Sequence, residues 1–172
     1  STTSINGGTL DVTGSLAAGS AVTVGGASAS GTPTLAGNGT VNGTVIVSAA
    51  SGGAAGRIAP GNAGAGTLNT GALTLDNTVF LDYDLDVPDL AWGAGSNDGI
   101  NVTGPLTINP NLTVTVTSGA GIGPGKYHLI RYSGVLTDSS SSFSGWALNG
   151  SGHAATFSID PGNKYIDVTL VA

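Results

Sequence analysis

Apolar and polar side chains alternate over short stretches of this chain, and Gly or Asn interrupts the alternation every few residues. The segment LAGNGTVNGTVIV, residues 35 to 47, shows the pattern: three Gly residues lie beside Asn or Thr, and the run Val45, Ile46, Val47 follows. Gly and Asn adopt the left-handed backbone conformation that tight turns need, whereas Val, Ile and Thr favour pleated strands. The segment therefore predicts a turn, a short strand, a second turn and a second short strand.

The same unit recurs along the chain. Four stretches place an apolar residue two positions after a Gly: GTLDVTGS at 8 to 15, GTVNGTVI at 39 to 46, GTLNTGAL at 66 to 73 and GPLTINPN at 104 to 111. Imperfect repeats about 27 to 38 residues apart are typical of solenoids, in which a unit buries its apolar face only when a neighbour stacks on it. We therefore predict an all-β, parallel β-solenoid with Gly and Asn at the corners and Val, Leu and Ile pointing inward.

The aromatic residues divide the chain unevenly. All nine lie beyond residue 79, while the first part has only aliphatic and Ala side chains to pack. A thin solenoid has no room for rings, so we predict thin rungs over 1–78 and a broader β region with an aromatic core over 79–172, either as two regions or as one continuous domain. Within the second region, AATFSID (154 to 160) and YIDVTLV (165 to 171) flank a Pro-Gly-Asn turn and are expected to form a terminal hairpin.

The composition indicates a protein with little helix and argues against nucleic acid and membranes as partners. Thirty Gly, no Cys, no Met and 8% charged residues describe small side chains and a weakly charged surface. All ten acidic residues are Asp, and the near absence of the helix formers Glu and Lys predicts almost no helix. A net charge of −6 without a basic cluster argues against nucleic acid or anionic membrane as a partner, and no apolar run approaches the ~20 residues of a membrane span. We expect a secreted protein of the cell surface, without membrane insertion.

The repeated segments resemble a known group of proteins. LAGNGTVNGTVIV, followed by RIAPGNAGAGTLNTGALTL at 57 to 75, resembles the autotransporter-associated β-strand repeat of secreted bacterial passenger proteins. SNDGINVTGPLTINPNLTVTV (96 to 116) and GKYHLIRYSGVL (125 to 136) are similar to the segments that follow this repeat. The resemblance implies a right-handed parallel β-helix that is exported and works at or beyond the cell surface, usually in adhesion or as a scaffold.

The predicted strand at 78 to 87 carries a candidate metal site. Alternation places three carboxylates on one face of this strand, those of Asp82, Asp84 and Asp86. Carboxylates about 7 Å apart repel one another, and Ca²⁺ with oxygen ligands relieves that repulsion. Further candidate ligands are Asp89, Asn97 and Asp98. The alternative is an acidic, solvent-facing row that discourages pairing between sheet edges.

Two tryptophans are candidate glycan-binding residues. Trp92 and Trp146 lie in Gly-rich segments, and an exposed indole ring stacks on sugar rings; burial as an end cap is the alternative. Catalysis is not expected: of the only two His residues, His128 alternates out of an apolar strand and His153 lies in a Gly-rich loop, and Ser is so abundant that a Ser, His and Asp combination can arise by chance. Four scattered Lys and Arg residues also fail to predict the basic groove of a polysaccharide lyase. Apart from Ca²⁺, no cofactor is expected.

The ends of the predicted solenoid carry no polar cap, and uncovered strand edges pair with further chains. We therefore expect a structural protein whose copies join head to tail, by rung stacking or strand donation, into a surface fibre or matrix filament. The alternative is an adhesin or glycan-binding stalk module of a larger bacterial surface protein. The expected partners are further copies of the chain and, under the alternative, glycans.

Overall fold

The computed structural model describes residues 1–49, 52–61, 63–138, 143 and 145–172, and its regular structure there consists of 19 β-strands. These residues contain no α-helix, as the scarcity of Glu and Lys predicts. Accordingly, this part of the chain offers no helix with the length and apolarity that crossing a membrane requires. The strands are short, from two to eight residues, because turn-forming residues interrupt the chain every few positions.

The strands form three sheets. The first contains, in spatial order, β1 (Thr2–Ile5), β4 (Ala21–Gly25), β7 (Val45–Ser48), β10 (Leu73–Leu75), β13 (Leu106–Ile108) and β16 (Leu136–Asp138). The second contains β2 (Thr9–Asp11), β5 (Thr34–Gly37), β8 (Arg57–Pro60), β11 (Phe80–Leu85), β14 (Thr113–Ser118) and β17 (Ala147–Asn149). The third contains β3 (Ser15–Leu16), β6 (Thr40–Val41), β9 (Thr67–Thr70), β12 (Gly99–Val102), β15 (Gly125–Tyr132), β19 (Tyr165–Val171) and β18 (Ala154–Asp160).

Consecutive strands belong to consecutive sheets, so three strands make one rung of a helix. Each strand up to β14 pairs in parallel with the strand three places later, as β5 does with β8 and β8 with β11. Strands of this kind bury one face only when the next rung stacks on them. The predicted parallel β-solenoid is confirmed, in the form of a three-sheet β-helix.

Inward-facing side chains form continuous columns through the rungs. In the second sheet, parallel register aligns the fully buried side chains of Leu35, Ile58, Leu81 and Val114. Burying an aliphatic side chain of this size contributes roughly 1.5–3 kcal/mol, so the columns are the main source of stability. The predicted apolar face of the 78 to 87 segment is also confirmed, since it buries Val79, Leu81, Tyr83 and Leu85.

The glycines of the 35 to 47 segment are needed for a different reason from the one that the sequence suggests. Only Gly37 has a left-handed backbone, with φ of 114°. A Cβ at Gly37, Gly39 or Gly43 would overlap a backbone carbonyl oxygen of the preceding rung, that of Val12, Gly14 or Ser20 respectively. At Gly39 and Gly43 the residue is therefore fixed by the close approach of two rungs and not by a tight turn.

The C-terminal end of the stack departs from parallel pairing. β18 and β19 form an antiparallel hairpin through a turn at 161–164, and β19 pairs antiparallel with β15. The predicted terminal hairpin is confirmed. One hydrophobic cluster extends from Ile5 to Leu170 and includes the buried rings of Tyr83 and Tyr127 in its later part. The aromatic-containing C-terminal core is thus confirmed, while a domain boundary near residue 79 stays a prediction.

Candidate functional site

Trp92 lies in the 86–98 loop, which connects β11 to β12 and folds against the outer face of the third sheet. Its indole is half-buried and packs on Gly99, the first residue of β12, where a Cβ would be 2.6 Å from Trp92 Cη2. On the same face the indole stacks against the ring of Tyr165, with centroids 5.8 Å apart and planes 22° from parallel. The Trp92 ring is therefore held in place by contacts with β12 and β19.

Tyr165 extends this stack toward β15. Its ring lies 4.2 Å from the His128 ring, centroid to centroid, at 30°. We call Trp92, Tyr165 and His128 the aromatic row. A β-bulge between His128 and Ile130 shifts the register of β15, so that His128 and Arg131 both lie on the outer face and Arg131 pairs directly with Tyr165 across the strands.

A buried carboxylate holds the third ring of the row in place. Nδ1 of His128 is 2.6 Å from Oδ1 of Asp167, which belongs to β19 and is fully buried. A carboxylate only accepts, so the Nδ1–H of His128 is the donor. The other carboxylate oxygen, Oδ2, lies 3.8 Å from Lys126 Nζ and has no hydrogen-bond partner among the described residues. The His128 ring is thus locked between Asp167 and Tyr165.

The 86–98 loop is tied down by two side chains just before β12. Asn97 Oδ1 accepts hydrogen bonds from the N–H groups of Asp86 and Val87, at 2.7 and 3.1 Å, and its amide donates to Val87 O. Asp98 accepts from the N–H groups of Gly66 and Asp84, both at 2.7 Å. These bonds replace the sheet pairing that a loop lacks, so the loop presents Trp92 from a fixed base.

Asp98 is unusual because it is a carboxyl group with only 2% of its surface exposed. Burial raises the pKa of Asp98 to about 7, although the N–H donors of Asp84 and Gly66 lower it and the charge of Asp84 raises it further. Asp98, Trp92, Asn97, Thr67 and His128 all border a small cavity of about 20 Å³. That space is sufficient for about one water molecule, so the aromatic row presents a surface and not a deep pocket.

Asp82 and Asp84 face outward on β11, and Asp86 follows them as the first residue of the 86–98 loop; the three carboxyl groups have different surroundings. Asp82 accepts two hydrogen bonds from Arg57 Nη1, at 2.9 and 3.1 Å, and the Arg57 guanidinium lies 4.2 Å from the centre of the Phe80 ring. Asp86 accepts from the N–H of Gly121, and Asp84 borders an open groove. Within the residues that the structure describes, no group of three or more His, Cys, Asp or Glu is arranged to hold a metal ion. The calcium site stays a prediction.

Trp146 lies apart from the aromatic row, at the C-terminal end of the interior. It is 8% exposed and contacts Phe143 edge-on, with centroids 4.7 Å apart, and Phe157, with centroids 5.1 Å apart. An indole buried among rings has no free face for a sugar, so the end-cap alternative describes Trp146 better. Of the two candidate tryptophans, Trp92 is the one whose ring is partly accessible.

Comparison with known proteins gives one informative relative. The adhesin BmaC autotransporter of Brucella suis biovar 1 (strain 1330) is 43% identical over 102 residues, which are 59% of this chain. The chain is similar to an autotransporter adhesin. No protein-family model matches the sequence. The resemblance to autotransporter passengers, expected from the repeated Gly-Asn-Gly and Gly-Thr-Leu segments, is confirmed by this match and by the parallel β-helix. The chain spans 3% of the length of that relative.

Most of the residues that surround Trp92 are not predictable from the sequence. Tyr165, His128, Asp167 and Arg131 come from β15 and β19, which are distant in sequence from the 86–98 loop. Their meeting depends on the antiparallel insertion of β19 beside β15 and on the bulge after His128. The predicted hairpin was the one signal available, since it placed Tyr165 at the start of a terminal strand, but its partner strand was not predictable.

Proposed function

We propose that this chain is a passenger module of a bacterial cell-surface adhesin, located outside the cell. The observation that carries the proposal is the 43% identity to an autotransporter adhesin over more than half of the chain. The parallel β-helix supports it, because stacked rungs form a rigid stalk from which loops project. This is the alternative stated above, and it has more support than a self-assembling filament.

The loops that a binding module would use lie together at one edge of the later rungs. The 86–98 loop contacts the next rung at two points. Asp86 accepts a hydrogen bond from the N–H of Gly121, between β14 and β15, and Asp89 accepts one from the N–H of Lys126, in β15, at 3.0 Å. The N–H of Asp89 also donates to Lys126 O, at 2.8 Å. The 86–98 loop is thereby held against the adjacent rung, so its surface is in place before a ligand binds.

Adhesion by the purified chain tests the proposal. Latex beads coated with the full chain are incubated with cultured epithelial cells and with immobilised extracellular-matrix preparations, and attached beads are counted. We expect attachment well above that of beads coated with the heat-denatured chain, because binding by a folded surface requires the intact rungs. Equal attachment of native and denatured coatings, at every surface, would contradict the proposal.

Head-to-tail assembly into filaments stays a prediction. The C-terminal hairpin bears on it, because β19 and β18 occupy the β15 edge that an incoming parallel rung would otherwise extend. A second copy that stacked on this end would therefore find the β15 edge of the third sheet already paired with β19. Electron microscopy of the chain at several concentrations is the direct test: uniform filaments with a one-subunit repeat would support assembly, and dispersed rods would favour a stalk module. That the chain is no enzyme and needs no cofactor likewise stays a prediction.

A further inference from the structure

We propose that the aromatic row and Arg131 form a binding site for an acidic saccharide, a chain of pyranose rings that carries carboxylates. This inference rests on the proposed adhesin function, because it names the class of ligand that the module would bind. Nothing in the similarity to an adhesin assigns these residues. The site would lie on the outer face of the third sheet, where the 86–98 loop meets β15 and β19.

The ring arrangement suits a sugar. One face of a pyranose presents C–H groups, and these pack on the electron-rich face of an indole ring, while the hydroxyls stay in water. Tyr165 lies between Trp92 and His128 in the row, so the half-buried Trp92 at the end of the row supplies the accessible ring surface. Because Gly99, Tyr165 and Asp167 hold the row in place before any ligand arrives, little conformational entropy is lost on binding.

The charge of the ligand follows from Arg131. Three of the four Lys and Arg residues, Lys126, Arg131 and Lys164, lie on β15 or in the hairpin. Lys126 lies 3.8 Å from the buried Asp167 carboxylate, and Lys164 donates a hydrogen bond to Ser133 O at 2.8 Å. Arg131 is exposed, and no described side chain forms an ion pair with its guanidinium. A planar guanidinium with free donors matches a carboxylate, which it binds through two parallel hydrogen bonds.

The neighbouring acidic residues leave this cation available. Asp98 directs both oxygens to backbone N–H groups, and Asp89 accepts from the N–H of Lys126. Asp167 is occupied by His128. Asp160, which pairs with Tyr165 from β18, accepts hydrogen bonds from Gly162 and Asn163. No described carboxylate therefore forms an ion pair with Arg131, although the chain as a whole has a net charge of −6. A free cation beside an accessible aromatic surface is the combination that recognises an anionic sugar and not a neutral or cationic one.

A second aromatic residue with a nearby Arg provides the contrast. On the second sheet, Arg57 lies over Phe80, but its guanidinium already binds Asp82 at 2.9 Å. An incoming carboxylate would have to displace Asp82 there. Arg57 is thus a matched control for Arg131, since each variant to Gln removes one positive charge from the same chain at a surface position.

Calorimetric titration of the full chain with matched pairs of saccharides tests the inference. The probes are sialyllactose against lactose, and a hyaluronan hexasaccharide against the neutral chitohexaose. We expect at least one acidic probe to bind, with an affinity about tenfold or more above that of its neutral counterpart, and we expect added salt to weaken it. If neither acidic probe binds, or if the neutral partners bind equally well, the inference is wrong.

Variants then connect binding to the named residues. Trp92→Ala is expected to weaken binding by about tenfold or more and Trp92→Phe by less, because a ring remains. Arg131→Gln should remove the preference for the acidic probe, and Arg57→Gln should keep both affinity and preference. Circular dichroism spectra verify that each variant is folded, and the surface position of Arg131 keeps the test valid if Trp92→Ala does not fold. Wild-type affinity in Arg131→Gln would overturn the site.

The two proposals fail in different ways. If native beads adhere to cells and Trp92→Ala and Arg131→Gln beads adhere equally well, the chain is an adhesin that uses another surface, such as one for a protein ligand, and the saccharide site is wrong. If the acidic probe binds in solution but native beads do not adhere, the saccharide site stands and the adhesin proposal fails. Adhesion that free acidic saccharide abolishes, and that Arg131→Gln lacks, supports both.

Discussion

The indole of Trp92 rests on the backbone of Gly99, and the two fit together because position 99 has no Cβ. A methyl group there would be 2.6 Å from Cη2 of the ring and 3.1 Å from Cζ3. The backbone of Gly99 is not in the left-handed region, so the ring contact alone accounts for the glycine. Gly99 therefore determines where the first ring of the aromatic row lies, through packing and without touching a ligand.

Gly99→Ala is expected to displace the Trp92 ring and to leave the fold intact. β12 is paired on both sides, with β9 and β15, so the side chain gives way before the backbone does. In a Trp146→Phe background, which leaves Trp92 as the only indole, we expect a red-shifted emission and faster quenching by acrylamide. Gly14→Ala is the matched control, because a Cβ there meets nothing within 4 Å. Identical spectra for both variants would show that Gly99 does not position the ring.

Gly39→Ala is expected to destabilise the whole β-helix. Here the added Cβ would overlap the carbonyl oxygen of Gly14 in the preceding rung, and neither backbone can move without breaking rung pairing. Overpacking of this kind typically costs about 1–3 kcal/mol or more. The measurement is urea unfolding followed by circular dichroism, with Gly14→Ala again as the control. Unfolding midpoints that coincide for the two variants would mean that the rungs leave room for a methyl group at position 39.

The rungs were predictable from the sequence because their signal is local. Alternation in the 78 to 87 segment is enough to place Leu81 and Tyr83 in the interior, since a strand residue that faces inward has no other place to bury its side chain. The site was not predictable, because Tyr165 and Trp92 meet only after β19 has inserted beside β15. The turn at 161–164 predicts the β18–β19 hairpin, but neither the pairing of β19 with β15 nor the bulge after His128 has a signature in the residues themselves.

The sequence also does not predict which of the two tryptophans is exposed. Both lie in Gly-rich segments, and residue type alone predicts an equal role for each. Trp146 is buried because Phe157 reaches it from the hairpin and because Phe143, three residues before it, packs edge-on against its ring. Trp92 stays accessible because its loop is tied down by Asn97 and Asp98 on the outer face. The difference in exposure thus depends on tertiary contacts that the local sequence does not show, such as that of Phe157 with Trp146.

Calcium is expected to leave the melting temperature of the chain unchanged. Asp82 is neutralised by Arg57, and Asp86 is held by the N–H of Gly121, so the repulsion that would favour a cation is already relieved at two of the three carboxylates. Thermal melts in excess EDTA and in millimolar Ca²⁺ make the comparison. Arg57→Gln is the informative variant, because it frees Asp82. A calcium-dependent rise in the wild type that Asp84→Asn removes would instead establish the predicted metal site.

Asp98 is expected to make the chain less stable as the pH rises toward neutrality. Its pKa is raised from 3.8 to about 7, chiefly by burial, so the native state binds this proton more tightly than the unfolded chain does. The stabilisation that Asp98 gives is complete below about pH 4 and is lost as the pH rises through about 7. The free energy of unfolding of the wild type, minus that of Asp98→Asn, should fall by roughly 1 kcal/mol per pH unit over this interval.

Urea unfolding at several pH values between 4 and 8 measures this difference. Asn at position 98 keeps one oxygen as an acceptor and turns an N–H₂ group toward the second donor, so the variant is less stable overall but lacks the titration. Asp160 supplies a control of opposite sign, because hydrogen bonds from Asn163 lower the pKa of its exposed carboxyl group. The contribution of Asp160 to the free energy of unfolding is present above the ordinary Asp pKa and is lost as the pH falls below it. A wild-type minus Asp98→Asn difference that stays constant or rises with pH would mean that Asp98 is ionised in the fold, with its two backbone N–H donors outweighing burial.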